Sequence, residues 1–319
     1  MPIVENDPWR RQYFEGVVCP DDVTIPTDDT LAYTLYLAHR WIYNKLLICE
    51  TQGLVHAPHG IPPTAFPVFS KPIYNLRGMG AGGKILASLA EYEREQTPGH
   101  MWMQLLVGEH VSTDVVVVEG EPRWWRHTIG KALDRGMFDY WTVLAEPRPE
   151  IEAYCGAWLR RHLKTYSGAI NFETIGGKII EAHLRFADQW PDLYGPGWIE
   201  SIVELYAHRR WRYPDKYRRT GYSVVLFGRH GLHYQKVDQN VVAELLTRPA
   251  ISSIQITFHE DKPPEAHAMP PGGFRLAIIN CWDLDAGFAV REKLALLFSA
   301  LQSVRPSPGS GRRARGLAT

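Results

Sequence analysis

The distribution of apolar residues along the chain predicts an alternation of helices and strands. Apolar residues at near-helical spacing predict helices over 31–52, 86–95, 151–163, 198–208 and 285–301. Short runs rich in β-branched and aromatic residues predict strands over 66–72, 115–118, 222–228, 253–258 and 274–282. We therefore expect an α+β protein.

Residues 168–185 predict a β-hairpin with charged residues on one face. Gly176-Gly177 is a turn signal between two apolar runs. Because side chains alternate along a strand, Glu181, His183 and Arg185 share one side, and Glu173 on the partner strand can point the same way. Two converging carboxylates suit Mg²⁺, which prefers oxygen ligands and substrate phosphates. A surface ribbon with solvated charges is the alternative interpretation.

A glycine-rich segment is the second motif with functional chemistry. It follows a strand that ends in Lys71-Pro72, and its glycines are Gly78, Gly80, Gly82 and Gly83. Glycines allow the backbone to approach a bulky anion and to point N–H groups at it. The spacing fits neither a Walker loop nor a dinucleotide-binding fingerprint, and a simple turn is the alternative.

Composition and charge limit the classes of function. The chain has 319 residues, enough for one large domain or two to three subdomains. Its 35 basic and 35 acidic residues balance, so nothing favours binding to nucleic acid or to an anionic membrane. Four scattered cysteines predict free thiols in a reducing compartment. With neither a signal peptide nor a long apolar stretch in the sequence, we expect a cytoplasmic protein.

The hairpin resembles the metal-binding hairpin of the ATP-grasp superfamily, most closely the biotin carboxylase-like, carboxylate-amine ligase branch. The family motif reads G-x-x-x-F-E, a turn, then E-x-N-x-R, and it is matched by Gly168, Phe172, Glu173, Glu181 and Arg185. The resemblance implies that Glu173 and Glu181 hold Mg²⁺ against the phosphates of ATP. His183 stands where the family has Asn, and its imidazole as a third metal ligand suits Mn²⁺ better.

The resemblance also assigns nucleotide contacts. It implies that Lys71 and Lys45 contact the phosphates and that the glycine-rich loop closes over them, although a solvated helix lysine is the alternative for Lys45. Residues 100–121 resemble the adenine-binding segment of the family. The positions carried over for adenine and ribose are Gln104, Leu106 and Glu109, with His110 as the alternative ribose contact.

The resemblance implies catalytic roles for Lys71 and Arg185. A guanidinium at the position of Arg185 can hold a phosphate or a carboxylate through two hydrogen bonds. Further along the chain, we expect substrate contacts from Arg126, His127, Asp188 and Gln189.

The implied fold is two α+β subdomains that clamp a nucleotide, with a C-terminal α/β lobe. The expected boundaries are an irregular arm at 1–30, a lead-in helix and first subdomain at 31–107, a second subdomain at 108–195, the lobe at 196–304 and a disordered basic tail at 305–319. Most family members carry a full α/β domain ahead of the nucleotide module, and this chain has a shorter segment there. We therefore expect the C-terminal lobe or a partner protein to hold the second substrate.

The implied activity is that of an ATP-dependent ligase. Such an enzyme activates a carboxylate as an acyl phosphate, which an amine or a similar nucleophile then attacks. Its substrates would be small molecules, and a homodimer or a partner protein fits this interpretation. The alternatives are a catalytically impaired nucleotide-binding protein acting as a sensor or subunit, and a metal-dependent hydrolase built on Glu173, Glu181 and His183.

Overall fold

Two antiparallel sheets of unequal size form the framework of the protein. The structure is a computed structural model that describes residues 8–76, 80, 82–133, 137–263, 267, 273–300 and 303–304. Gly78 and the expected tail at 305–319 lie outside these residues.

The helices within the described ranges alternate with strands, as the apolar pattern predicts. They are α1 (Pro8–Arg11), α2 (Asp29–Leu35), α3 (Lys45–Glu50), α4 (Leu89–Arg94), α5 (Pro149–His162), α6 (Trp198–His208), α7 (Gln239–Leu246) and α8 (Leu284–Ala300). Among these helices, none has the length and apolar character needed to cross a bilayer.

The strands are β1 (His56–Pro58), β2 (Val68–Pro72), β3 (Lys84–Leu86), β4 (His100–Gln104), β5 (His110–Val118), β6 (Glu121–Ala132), β7 (Phe138–Val143), β8 (Gly168–Ile175), β9 (Lys178–His183), β10 (Gly221–Gly228), β11 (Leu232–His233), β12 (Ile251–Ile256), β13 (Phe274–Cys281) and β14 (Ser303–Val304). The smaller sheet has the order β1-β4-β2-β3, and the larger has the order β12-β13-β10-β7-β6-β5-β8-β9. The strands predicted for the C-terminal lobe thus continue the same sheet as the hairpin. A third, two-stranded sheet pairs β11 with β14.

The predicted hairpin is confirmed as β8 and β9. Gly176 and Gly177 have φ values of 55° and 75°, the left-handed conformation that a two-residue hairpin turn requires at both positions. The register places Glu173 directly opposite Glu181. The two carboxylates therefore share one face of the sheet. A β-bulge between Glu173 and Thr174 produces this pairing, since the turn alone would place Ile180 opposite Glu173.

The prediction of one continuous helix over 31–52 is wrong. This segment forms α2, a 3₁₀ turn at Arg40–Tyr43 and then α3. Helix α2 ends at Leu35, and the next α-helix begins after Asn44, which has extended backbone angles and whose side chain accepts a hydrogen bond from the Leu46 amide at 3.0 Å. Asn44 thereby caps a new helix, and Lys45 becomes the first residue of that helix.

The connection between the two sheets lies against the hairpin turn. Gly108 has φ +134°, and a Cβ atom there would lie 2.7 Å from the Cα atom of Gly176. The Gly176 amide donates a hydrogen bond to the Glu109 carbonyl at 3.1 Å. Only glycine allows this close approach, so the linker and the hairpin are held together where the two sheets meet.

Separate hydrophobic clusters cover the faces of the larger sheet. On one side, Trp158 and Leu159 of α5 pack with Phe172 of β8, and the Trp158 and Phe172 ring centroids are 5.6 Å apart. Another cluster includes Trp198 of α6, which is fully buried. Burying each such side chain contributes about 1.5–3 kcal/mol, so both helices hold the sheet firmly beneath the cavity described next.

Candidate active site

A cavity of about 520 Å³ lies between the two sheets. Lys71 of β2 and Leu106 of the linker line it from the side of the smaller sheet, while Glu173 and His183 line it from the hairpin. Phe227 of β10 also contributes to the wall. This volume is within the range typical of small-molecule sites.

The two hairpin carboxylates each lie beside a basic side chain. Lys45 Nζ is 2.8 Å from Glu181 Oε1, and His110 Nε2 is 2.5 Å from Glu173 Oε2. Burial opposes ionisation of Glu181, but Lys45, His183 and Lys71 together outweigh it and lower the pKa of that carboxyl. Burial likewise opposes the charged form of His110, but its hydrogen bond to Glu173 raises the pKa of the imidazole. Lys45 thus offsets the charge of Glu181, and the hydrogen bond with His110 stabilises the carboxylate of Glu173.

Lys45 and Lys71 bring two ammonium groups to the cavity. Both side chains are buried, at 4% and 6% exposure, and Lys71 Nζ donates a hydrogen bond to the Ile180 carbonyl at 2.8 Å. Burial lowers the pKa of Lys71 to about 8, with Lys45 adding to the effect and Glu181 opposing it. An anion bound between the two ammonium groups would hold both in the charged form.

A buried aspartate at the start of α2 organises the end of the hairpin. Asp29 lies 3.0 Å from His183 Nδ1 and 2.9 Å from an Arg185 terminal nitrogen, and it accepts a hydrogen bond from the Tyr43 hydroxyl at 3.1 Å. Burial raises the pKa of Asp29, but Arg185 and His183 more than compensate and hold it well below its usual range. Sequence reasoning missed Asp29, since a carboxylate beside the capping residue Asp28 gives no signal of a distant partner.

Four of the glycine-loop and adenine-segment positions that the resemblance assigns to the nucleotide line the cavity. Gly80 and Gly83 line it, as does Leu106. Gln104 also lines it, but its side-chain oxygen accepts a hydrogen bond from the Val55 amide at 2.9 Å.

Two of the assigned positions are not among the lining residues. Gly82 lies beside Pro72 and His100. Glu109 is half-exposed and forms an ion pair with Arg148 at 3.5 Å. His110, the alternative ribose position, does line the cavity.

The expectation that Arg126 and His127 contact substrate is wrong. Both side chains are fully buried and neither lines the cavity. Arg126 donates to the Leu144 and Leu193 carbonyls, each at 3.3 Å, and His127 lies 3.0 Å from a Glu152 oxygen. Their polar groups are instead hydrogen-bonded inside the protein, away from the cavity.

Asp188 and Gln189 do line the cavity, beside two arginines that sequence reasoning did not identify. Arg10 Nε donates to Asp188 at 2.6 Å, and Arg275 donates to the Gln189 side-chain oxygen at 3.1 Å. Arg10 comes from the N-terminal arm and Arg275 from β13. Only the three-dimensional fold brings such distant residues together, and no local pattern marks either one.

The side chains around the cavity include carboxylates and an imidazole that a metal ion could use. Within the described ranges, no group of three or more His, Cys, Asp or Glu side chains is arranged to hold one. The hydrolase hypothesis on Glu173, Glu181 and His183 therefore has no preformed site there. Two opposed carboxylates do fit Mg²⁺ in chemical kind, because this ion commonly takes one or two carboxylates and completes its shell with phosphate oxygens and water.

Comparison with known proteins gives a fold and no sequence family. Neither family models nor curated protein sequences match this chain. Solved structures match well. An L-amino acid ligase from Bacillus licheniformis has a TM-score of 0.60 at 13% identity, with 93% of this chain and 83% of that chain covered.

Two further structures agree with the first. N5-carboxyaminoimidazole synthase from Aspergillus clavatus, solved with ADP and 5-aminoimidazole ribonucleotide, has a TM-score of 0.59 at 11% identity, with 92% and 91% covered. N5-carboxyaminoimidazole ribonucleotide synthetase from Thermotoga maritima has a TM-score of 0.55 at 13% identity, with 93% and 78% covered. The chain therefore has the ATP-grasp fold, as the order of motifs predicted.

Proposed function

We propose that this protein is an ATP-dependent ligase that joins a carboxylate to an amine or a similar nucleophile. The observation that supports it best is the grouping of Lys45, Lys71, Glu173 and Glu181 around one cavity of an ATP-grasp fold. Two buried ammonium groups opposite two carboxylates form a site for a phosphate chain with a divalent cation. The ligases with similar folds support the same class of chemistry.

The nucleotide would lie along the side of the smaller sheet. The phosphates would bind the ammonium groups of Lys71 and Lys45, and the adenine would lie against apolar residues beside the linker, which include Phe69, Met103 and Leu106. A bound phosphate replaces the Ile180 carbonyl as the strongest partner of Lys71. This interaction holds the lysine charged despite its burial.

Metal and nucleotide are expected to bind together. Glu173 and Glu181 would hold Mg²⁺, or Mn²⁺ in its place, and His183 has only Nε2 left for a metal because Nδ1 faces Asp29. When bound, the ion supplies positive charge to the phosphates. Lys45 and His110 must then release the carboxylates, and Lys45 becomes available to the nucleotide.

The reaction takes place in two steps. A carboxylate oxygen attacks the γ-phosphorus, the bond to the β,γ-bridging oxygen breaks, and ADP leaves. The nucleophile then attacks the acyl carbon, phosphate leaves with the electrons of the carbon–oxygen bond, and the amine loses its proton to solvent. Arg185, oriented by Asp29, would hold the carboxylate or the transferred phosphoryl group, and positioning with charge neutralisation accounts for most of the catalysis.

Calorimetric titration with a non-hydrolysable ATP analogue tests the site. We expect binding that is tighter with Mg²⁺ or Mn²⁺ than without metal and that weakens at least about thirtyfold in Lys71→Ala, since a charge-assisted hydrogen bond is worth ~2 kcal/mol. Lys164→Ala is the matched control, because Lys164 is exposed and lies outside the cavity. Equal affinity of the wild type and Lys71→Ala would refute the assignment.

Glu181→Gln tests the site because it should change binding of the ATP analogue differently with and without metal. We expect weaker binding when metal is present, because a metal ligand is lost. Without metal we expect equal or tighter binding of the analogue, because the substitution releases Lys45 from its ion pair. Weaker binding under both conditions would argue against a metal role for Glu181. Metal-dependent binding with no ADP release across a panel of carboxylates and amines would favour the sensor or subunit alternative.

A further inference from the structure

Three aromatic residues form a continuous wall of the cavity beside the carboxylates. The Phe138 and Trp141 ring centroids are 4.2 Å apart, and those of Trp141 and Trp190 are 5.4 Å apart. All three line the cavity, and we call them the aromatic wall. Wide apolar surface of this kind favours a ligand with apolar bulk.

A β-bulge directs this wall into the cavity. Strand β6 pairs Lys131 with Tyr140 and then Ala132 with Phe138, so Asp139 is an extra residue in β7. The extra residue places Phe138 and Trp141 on the same face, although they are three positions apart. Their partners on β6 are the small residues Ala132 and Gly130.

Gly130 provides the space that the rings occupy. A Cβ atom at this position would lie 2.4 Å from a Phe138 ring carbon and 3.0 Å from a Trp141 ring carbon. The rings therefore rest directly on the backbone of β6. Any side chain at Gly130 would push Phe138 away from this position.

The wall differs from the core on the opposite face of the same strand. Tyr140 packs against Phe288 at a centroid distance of 5.7 Å and does not line the cavity. Phe138 and Trp141 are half-buried and face the cavity instead. The Trp190 indole N–H donates to the Tyr194 hydroxyl at 2.8 Å, so its polar atom is satisfied within the protein and its ring serves as apolar surface.

Paired charges lie directly beside the wall. Asp188, Gln189 and Trp190 are consecutive and all line the cavity, which places Asp188 within about 7 Å of Trp190 along the backbone. Asp188 pairs with Arg10, and Asp29 pairs with Arg185. Burial raises the pKa of Asp188, but Arg10, Arg185 and Arg275 lower it further than burial raises it. Arg10, Arg185 and Arg275 thus outnumber the acids Asp29 and Asp188 among the residues that line the cavity here, which favours a ligand that brings a carboxylate.

We propose that the substrate activated by this protein is a carboxylic acid with a large apolar group, which lies against Phe138, Trp141 and Trp190. Its carboxylate would lie towards Arg185. The identity of this substrate rests on the proposed ligase function, but binding of the acid can be measured separately.

The experiment measures binding of four probes by calorimetry, with and without Mg²⁺ and the ATP analogue. The probes are L-phenylalanine, L-alanine, L-glutamate and 3-phenylpropanoate, which lacks the ammonium group. We expect L-phenylalanine to bind about 10- to 100-fold more tightly than L-alanine, as burial of an aromatic side chain predicts. L-Glutamate should bind at least about tenfold more weakly than L-phenylalanine, because its side-chain charge would meet apolar rings. 3-Phenylpropanoate should bind at least as tightly as L-phenylalanine, because it brings no ammonium group to the arginines.

Variants of the wall test which residues set this selectivity. Trp141→Ala and Gly130→Ala should lower the ratio of phenylalanine to alanine affinity at least about fivefold. Tyr140→Leu is the matched control on the opposite face and should keep the ratio. A change of stability alone cannot alter this ratio, since both amino acids bind the same folded protein.

The outcomes separate this proposal from the proposed function. Normal binding of the ATP analogue with equal affinity for phenylalanine and alanine, or with glutamate as tight as phenylalanine, overturns the substrate proposal and leaves the ligase function in place. Failure to bind the analogue overturns the ligase function. The ratio of phenylalanine to alanine affinity, measured without nucleotide, still tests whether the aromatic wall binds the apolar group. An unchanged ratio in both Trp141→Ala and Gly130→Ala overturns the role of the wall.

Discussion

Asp29→Asn is the substitution whose effect can be worked out most fully from the structure. Asp29 is 4% exposed and accepts contacts from His183, Arg185 and Tyr43. Asparagine keeps the size of the side chain but removes its charge. Arg185, whose pKa is raised by Asp29 and Asp188 despite the opposing effect of burial, would remain largely buried without its hydrogen-bonded counter-ion, with Asp188 as its other acidic neighbour.

Loss of one partner from a buried ion pair costs about 3–5 kcal/mol. For a chain of 319 residues, the entropy of unfolding implies about 1.5 °C per kcal/mol, so the melting temperature should fall by about 4–8 °C. The pH dependence has a definite sign. The folded pKa of Asp29 is depressed, so its contribution is present above the unfolded pKa of about 3.9 and is lost as pH falls below it.

Differential scanning calorimetry from pH 3 to pH 8 measures both effects. The difference in melting temperature between the wild type and Asp29→Asn should be constant above about pH 5 and should narrow below about pH 4. Asp28→Asn is the control, because Asp28 caps α2 through the Leu31 amide and asparagine caps equally well. A loss in Asp29→Asn as small as that in Asp28→Asn, or a difference that persists unchanged at pH 3, would refute the reasoning.

The hairpin itself was predictable because its turn and its two apolar strands are local features. The turn alone would place Ile180 opposite Glu173, and the β-bulge that brings Glu181 there leaves no signal in the apolar pattern. The start of a new helix after Asn44 was harder to predict from the sequence. Apolar spacing continues through this residue, and a capping side chain competes with helix continuation only when the tertiary structure places the next helix at a new angle.

The remainder of the site depends on contacts between distant segments. Asp29 meets His183 across 154 positions of sequence, and Arg10 meets Asp188 across 178. No periodicity relates such pairs. Arg126 shows the opposite error, since a charged residue in a strand was expected to face a substrate, while the fold buries it against backbone carbonyls.

Two further predictions concern buried groups with displaced pKa values. Because the pKa of Lys71 is about 8 in the free protein, binding of the ATP analogue near pH 8 should take up protons, and its affinity should fall at higher pH. Calorimetry in two buffers of different ionisation enthalpy measures this uptake, which Lys71→Met should abolish, and equal uptake in both proteins would contradict it. The stability contributed by Asp114 depends on pH in the opposite sense to that contributed by Asp29. Burial raises the pKa of Asp114 to about 6, although Tyr194, Asn171 and the Ala187 amide donate hydrogen bonds to it. Its ionisation therefore destabilises the fold as pH rises from about 4 to 6, by roughly 3 kcal/mol. Asp114→Asn should lose this dependence of stability on pH, because an amide does not ionise in this range. It should also be less stable at pH 4, because an amide nitrogen, which cannot accept a hydrogen bond, replaces one of the two oxygens that accept from the three donors. Melting temperatures of the two proteins that run parallel from pH 4 to pH 7 would show that burial does not control the ionisation of Asp114.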